Sequence, residues 1–172
     1  MAVIASLVIG SNGATSKGGI SAPLSTPADR ERFLQRHRSA AAYIIGKNSA
    51  ALESYRATRV PIFVFSRYTT PLTFAHPMMQ QVTVDRNLLE ITRIIDHRID
   101  GEIVVEAGAS LLMAMAKSGA IDLIELSRTP IRGDGGFIDV DELLADFETI
   151  SEREVDGTRL LECRYQGNSA NS

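Results

Sequence analysis

Apolar runs of strand length alternate with helix-like segments through the first two thirds of the chain. A strand that is buried on both faces is apolar along its whole length, as in parallel sheets covered by helices. This pattern predicts strands over residues 2–9, 41–45, 61–65, 102–106 and 121–127. Alternation of such strands with helices is typical of an α/β fold with a mostly parallel sheet.

The C-terminal part of the sequence has a different pattern. Residues 147–155 and 158–165 are two strand-like segments that flank Asp156 and Gly157. Asp-Gly is a two-residue turn sequence that joins antiparallel strands, because both positions accept a positive φ. We therefore predict a mixed sheet that ends in an antiparallel hairpin.

Capping residues mark the helices. Thr26 is a capping residue, Pro27 suits a first helical turn, and Asp29 follows Thr26 by three positions. The basic residues 36–38 complement the dipole at the other end of this helix. Two further helices are predicted over residues 87–95 and 109–117.

Composition indicates one soluble domain. The 172 residues are 44% apolar and 23% charged, which is typical of a globular protein. We assign residues 1–166 to the domain and residues 167–172 to a polar tail. The apolar N-terminal run is about nine residues long, against roughly 20 for a membrane helix, so we expect a cytoplasmic protein without a membrane partner.

Charge and metal-binding residues exclude other classes. A net charge of −3 gives no basic surface for nucleic acid. Cys163 is the single cysteine, and His37, His76 and His97 lack the spacing of metal ligands. We therefore expect neither a nucleic-acid partner nor a metal.

Three strand ends carry candidate ligand-binding residues. The first runs through Gly46, Lys47, Asn48 and Ser49 into a predicted helix. Backbone N–H groups at a helix start attract phosphate, and Lys47 and Ser49 add donors. The alternative is an ordinary strand-to-helix turn with a capping serine.

A second junction lies at the end of the strand over residues 102–106. This junction consists of small residues followed by a leucine: Ala107, Gly108, Ala109, Ser110 and Leu111. Small residues let a pyrophosphate approach the backbone closely, although they also suit plain helix–sheet packing. The G-x-G-x-x-G fingerprint is absent, which disfavours a Rossmann dinucleotide domain. Glu106 precedes this junction, and a carboxylate on an apolar strand is costly unless it is paired or contacts a polar ligand.

The third strand end carries Ser66 and Arg67, which suit a nucleotide 2′-phosphate because arginine presents a planar fork to phosphate oxygens. A solvated strand end is the alternative. Asp29 has two interpretations of equal weight: a substrate-orienting or proton-relaying carboxylate, or a capping residue of its helix.

The order of these pieces resembles the dihydrofolate-reductase-like superfamily over about residues 2–166. The sequence is most similar to its riboflavin-biosynthesis branch. Residues 12–15 (Asn-Gly-Ala-Thr) resemble the Asp-Gly loop of that branch, residues 27–33 its first helix, and residues 105–108 (Val-Glu-Ala-Gly) its Val-Glu-Gly-Gly motif. Residues 45–49 and 65–67 resemble phosphate-binding motifs that both branches share.

This resemblance implies a three-layer fold with helices on both faces of the sheet, and an NADPH-dependent reductase that acts on a pyrimidine ribosylamine phosphate. By the same resemblance Asp29 and Glu106 handle protons, and the substrate contacts are Asn12, Gly13, Ser25, Asp29 and Glu106. The resemblance also implies that residues of three segments bind the phosphates of the cofactor: residues 46–49, Ser66 with Arg67, and residues 107–111. A homodimer is also implied.

Two alternatives remain open. The acceptor can instead be dihydrofolate, with Asp29 on the pterin ring. The protein can also bind a nucleotide without catalysis, because Asn12 replaces the aspartate of the riboflavin branch and Ala107 replaces a glycine.

Overall fold

The computed structural model describes residues 2–51, 55–85 and 87–167. Its strands are β1 (Val3–Ile9), β2 (Ala40–Gly46), β3 (Ile62–Ser66), β4 (Met79–Thr83), β5 (Glu102–Glu106), β6 (Leu123–Arg128), β7 (Phe147–Val155) and β8 (Thr158–Tyr165). Its α-helices are α1 (Pro27–Ser39), α2 (Leu88–Asp96), α3 (Ala109–Lys117) and α4 (Val140–Leu143). Short 3₁₀ turns cover Ala22–Leu24 and Ser49–Ala51.

The described strands form an eight-stranded sheet in the order β4-β3-β2-β5-β1-β6-β8-β7. The first six pair in parallel, whereas β8 is antiparallel to both β6 and β7. Asp156 and Gly157 turn the hairpin with φ of 49° and 79°. The predicted mixed sheet with a C-terminal antiparallel hairpin is confirmed.

Most predicted elements are present, with bounds that agree within two residues. The predictions for β5, α3, β7 and β8 match their observed bounds. The prediction missed β4 and α4. Where a helix was predicted after Gly46, the structure has the 3₁₀ turn Ser49–Ala51, and residues 52–54 lie outside the described part. Of the predicted tail, only Gly167 is described.

One face of the sheet carries the main apolar core under α2 and α3. Ile103 and Val105 of β5 are fully buried there, together with Leu112 and Met115 of α3. Burial of each such side chain contributes about 1.5–3 kcal/mol relative to exposure. This layer holds the central strands rigidly against the helix that follows β5.

The opposite face has a smaller buried apolar cluster on β2, β3 and β5 and a set of charged and polar groups under α1. Arg36 of α1 donates to Glu125 of β6 at 2.5 Å and to Glu102 of β5 at 2.7 Å, and its hydrogen bond to Glu125 raises the pKa of the guanidinium. Arg32, one turn earlier, donates to the Ser127 hydroxyl at 2.7 Å. Charged hydrogen bonds therefore join α1 to the sheet where an apolar stripe is more usual.

Within the described ranges, no helix has both the length and the apolar character required to cross a bilayer.

Candidate active site

The sheet opens between β1 and β5 at the carboxyl ends of the strands. The β1–β5 pairing ends at Ala5 and Val105, whereas β1 continues along β6 as far as Ile9 and Arg128. The backbone leaves β1 through α1 towards β2 and leaves β5 through α3 towards β6, in opposite directions along the sheet. Ligands of open α/β sheets bind at such a switch point.

Sheet register gathers the predicted cofactor residues at this edge. Ile45 pairs with Glu106, and Gly46 pairs with Phe65, so the ends of three strands are adjacent. A Cβ on Gly46 would lie 3.8 Å from the Cδ2 atom of Leu111, which places the first turn of α3 against the end of β2.

The start of α3 is open. Gly108 is the N-cap residue, no side chain caps the helix, and a Cβ at Gly108 would meet no atom within 4 Å. Uncapped N–H groups at the start of a nine-residue helix attract an anion. The space beside Gly108 and the exposed Ser110 therefore fits a phosphate group that approaches the backbone.

An aromatic residue that the sequence reasoning missed stands beside the predicted 2′-phosphate residues. The Nζ atom of Lys47 lies 4.1 Å from the ring centroid of Tyr68. Ser66 is buried and its hydroxyl accepts from the Tyr68 N–H at 3.1 Å, whereas Arg67 is exposed. Of the other residues predicted here, Asn48 is exposed and Ser49 begins the 3₁₀ turn. The missed signal was an aromatic residue directly after Ser-Arg.

Strand β4, also missed, holds that segment in place. The Gln81 amide donates to the carbonyl oxygens of Tyr68 and Thr70 at 2.8 and 3.2 Å and accepts from the Leu72 N–H at 2.7 Å. Thr83 donates to the Tyr68 carbonyl at 3.2 Å. The loop that carries Arg67 and Tyr68 is therefore tied to the sheet at several points.

Asp29 is buried in the first turn of α1, only 8% exposed. Its Oδ2 atom accepts from the Ser25 hydroxyl at 2.5 Å, while its own N–H donates weakly to Thr26 Oγ1 at 3.4 Å. Thr26 thus caps the helix as predicted, and the Asp29 carboxylate is held by Ser25. Among the described residues no hydrogen bond engages Oδ1, so that oxygen is available to a ligand.

Glu106 has two partners that the sequence reasoning did not identify. Oε1 is hydrogen-bonded to Nε2 of His37, and Oε2 accepts from the Tyr55 hydroxyl at 2.5 Å. Burial and the adjacent Glu106 charge raise the pKa of Tyr55 and raise that of Tyr43 to about 12. We call these four residues the Glu106 cluster. They explain how a carboxylate is tolerated at this position, because it is paired.

Asn12 and Gly13 lie in the loop after β1. The Asn12 amide is hydrogen-bonded to the backbone of Gly133, and Gly13 has a φ of +80° and accepts from the Ile138 N–H at 3.0 Å. The structure therefore shows both residues joining the loop after β1 to the segment that precedes α4. Their predicted contact with substrate stays a prediction.

Three features define the dihydrofolate-reductase-like fold, as the resemblance implied. They are the strand order, the connections that leave β1 and β5 in opposite directions, and the closing hairpin. Solved structures show the same fold. A protein from Shewanella sp. PV-4 named for riboflavin biosynthesis aligns with 96% of this chain at a TM-score of 0.72 and 19% sequence identity. Dihydrofolate reductase from Enterococcus faecalis in complex with NADP(H) also aligns with 96% of this chain, at a TM-score of 0.72 and 13% identity. These matches cover 99% and 96% of those two proteins.

A third match is longer than this protein. The bifunctional diaminohydroxyphosphoribosylaminopyrimidine deaminase and 5-amino-6-(5-phosphoribosylamino)uracil reductase from Thermotoga maritima aligns with 95% of this chain, at a TM-score of 0.67 and 14% identity. The alignment spans only 56% of that protein. No family model matches the sequence, and no curated protein matches it.

Proposed function

We propose that the protein is an NADPH-dependent reductase of a pyrimidine ribosylamine phosphate, similar to the 5-amino-6-(5-phosphoribosylamino)uracil reductase of riboflavin biosynthesis. The observation that carries the proposal is the carboxylate of Glu106, which His37 and Tyr55 hold at the end of β5, one residue beyond the last β1–β5 pair. True dihydrofolate reductases usually have an aliphatic residue at this position. A polar cluster there suits a sugar phosphate better than an aromatic tail.

The strand-end residues fit a phosphorylated dinucleotide. The open start of α3 at Gly108 suits the pyrophosphate. Lys47 and Arg67 are exposed cations on neighbouring strand ends, and Arg67 would distinguish NADPH from NADH through the 2′-phosphate. The nicotinamide supplies the hydride when bound, and the protein supplies alignment and charge.

On the substrate side, hydride addition at the sugar carbon yields an open-chain ribityl product and requires one proton. Asp29 and Glu106 are the carboxylates that border this opening in the proposal, with Ser25 fixing the orientation of Asp29. Asn12 and Gly13 would enclose the substrate through the loop that they stabilise.

One observation favours dihydrofolate as the acceptor instead. Asp29, in the first turn of α1, keeps one carboxylate oxygen without a partner among the described residues, as a group that binds a pterin requires. The polar Glu106 cluster is the feature that argues against this alternative.

The test is NADPH consumption by the purified protein with each acceptor in turn, followed by absorbance. We expect oxidation of NADPH with the pyrimidine ribosylamine phosphate and little with dihydrofolate. Turnover of dihydrofolate together with tight methotrexate binding would assign the second function. Binding of NADPH without turnover of either acceptor would assign a nucleotide-binding protein without catalysis.

We also propose a cytoplasmic homodimer. Support for self-association comes from β7, an edge strand that is exposed along most of its length and carries the exposed Ile150. Light scattering should give twice the mass of one polypeptide, and a monomeric mass would contradict the proposal.

A further inference from the structure

We propose that His37 delivers the proton in the proposed reduction, and that Glu106 and Tyr55 are positioning residues that hold its ring. This inference rests on the proposed function and changes the role of Glu106 from proton donor to orienting group. Its basis is the contact between α1, β5 and the segment after β2, which brings together residues far apart in sequence.

Both oxygens of Glu106 are already engaged. Oε2 accepts from the Tyr55 hydroxyl at 2.5 Å, and Oε1 is bound to His37. Since burial raises the pKa of Tyr55, its hydroxyl keeps its proton and remains a donor. A carboxylate with a donor on each oxygen is poorly placed to give a proton to a substrate directly.

The same contact fixes the tautomer of His37. An ionised carboxylate only accepts hydrogen bonds, so Nε2 must carry the hydrogen. The acid–base atom is then Nδ1, which has no hydrogen-bond partner among the described residues. A carboxylate that orients a histidine and stabilises its imidazolium form is a recurring catalytic arrangement.

Packing holds the ring while leaving it accessible. The His37 ring lies 4.0 Å from the Phe33 ring and 5.0 Å from the Tyr43 ring, between centroids. Its side chain is 19% exposed, so a ligand can reach it.

The charged and titratable groups around His37 come from three elements. Glu106 faces it from β5, Tyr43 from β2 and Tyr55 from the segment after β2. On α1 itself, the neighbouring Arg36 is directed to Glu102 and Glu125. Glu106 is therefore the charged group that contacts the ring directly.

In the proposed step NADPH, when bound, would supply a hydride to the carbon of the carbon–nitrogen double bond in the ring-opened substrate, which forms the C–H bond. The π electron pair moves to nitrogen, which takes the proton from Nδ1 of the His37 imidazolium. The products are NADP⁺, the ribityl amine and a neutral histidine that solvent reprotonates.

The test compares substitutions that keep or remove the proton carrier. His37→Phe retains an aromatic ring against Phe33, and general-acid catalysis typically contributes 10²–10⁴-fold. We expect kcat to fall about 100-fold or more, with KM for NADPH changed less than about twofold. In His37→Ala, added imidazole should restore part of kcat, which a merely structural residue would not allow. Tyr55→Phe should lower kcat less, by about tenfold.

His97, an exposed histidine at the end of α2, provides the matched control. His97→Ala should leave kcat unchanged and show no response to imidazole. Melting temperature and NADPH binding of each variant establish that it is folded. Ring ¹⁵N shifts give a readout independent of turnover, and they should show the Nε2–H tautomer in the wild type and its loss in Glu106→Gln.

The outcomes separate the two proposals. If His37→Phe keeps the wild-type kcat, or if imidazole does not restore any of the kcat lost in His37→Ala, the role of His37 is overturned while the reductase function stands. No turnover by the wild type with NADPH bound would overturn the reductase function and this inference with it.

Discussion

The side-chain amide of Asn12 pairs with the backbone of Gly133 as a peptide group would. Its nitrogen donates to the Gly133 carbonyl at 3.0 Å, and its oxygen accepts from the Gly133 N–H at 3.1 Å, across 121 residues of sequence. An aspartate, as in the riboflavin branch, could make only the second of these bonds. The asparagine that replaces this aspartate therefore has a structural role, because its amide joins two loops at the edge of the proposed site.

Asn12→Asp should destabilise the fold by about 1–2 kcal/mol, because one hydrogen bond is lost and a carboxylate oxygen faces a carbonyl oxygen. Urea unfolding measures this change. Asn48→Asp makes the same chemical change at an exposed position and should have little effect. Equal stability of the two variants would show that the Asn12 amide contributes nothing.

Arg36→Met should destabilise the protein by about 3 kcal/mol, because it leaves the 4% exposed Glu125 without its partner. Lys117→Met removes a cation from an exposed pair with Glu142 and should cost about 0.5 kcal/mol or less. Chemical denaturation of both variants tests the contrast. If Arg36→Met lowers the free energy of unfolding no more than Lys117→Met does, the result contradicts a buried ionic layer under α1.

The buried tyrosines predict weaker folding at alkaline pH. The pKa of Tyr43 is raised from 10 to about 12, so the unfolded protein loses this proton first as the pH rises. The resulting stabilisation is fully present below pH 10, falls between about pH 10 and 12, and is on the order of 2 kcal/mol. Unfolding free energies across this range should fall less steeply in Tyr43→Phe. Tyr68→Phe, which removes an exposed phenol, is the control.

Gly108→Ala should leave the melting temperature unchanged and weaken NADPH binding about tenfold. The added methyl group meets no protein atom within 4 Å, but it fills the space over the start of α3. Gly10→Ala, by contrast, should lower the melting temperature, because its Cβ would lie 2.5 Å from the Ile131 carbonyl oxygen. Unchanged NADPH affinity in Gly108→Ala, measured by calorimetry, would place the pyrophosphate elsewhere.

Local signals in the sequence explain which elements were predictable. The end of α3 followed from Ser118 and Gly119 directly after it, and the closing hairpin followed from the Asp156-Gly157 turn, because both signals act within a few residues. Strand β4 was missed because its central residues, Gln80 and Gln81, are polar and it lies at the edge of the sheet. Edge strands carry little of the apolar pattern on which the prediction depended.

The site was predictable only where one segment carries it. The junction at residues 106–111 and the Ser66-Arg67 strand end are contiguous motifs, and the fold brings them to one edge. The partnership of Glu106 with His37 spans 69 residues and depends on how α1 crosses the sheet, which no local pattern encodes. The cost of burying a carboxylate predicted that Glu106 needs either a pairing partner or a polar ligand, but it did not identify His37 or Tyr55.

The most direct test of the reductase proposal is NADPH binding compared with NADH binding, in the wild type and in Arg67→Ala. A charged hydrogen bond to the 2′-phosphate is worth about 1.5–3 kcal/mol, so we predict at least tenfold tighter binding of NADPH, lost in the variant, with NADH affinity unchanged. Failure of the wild type to bind either nucleotide, or equal affinity for both, would contradict the proposal.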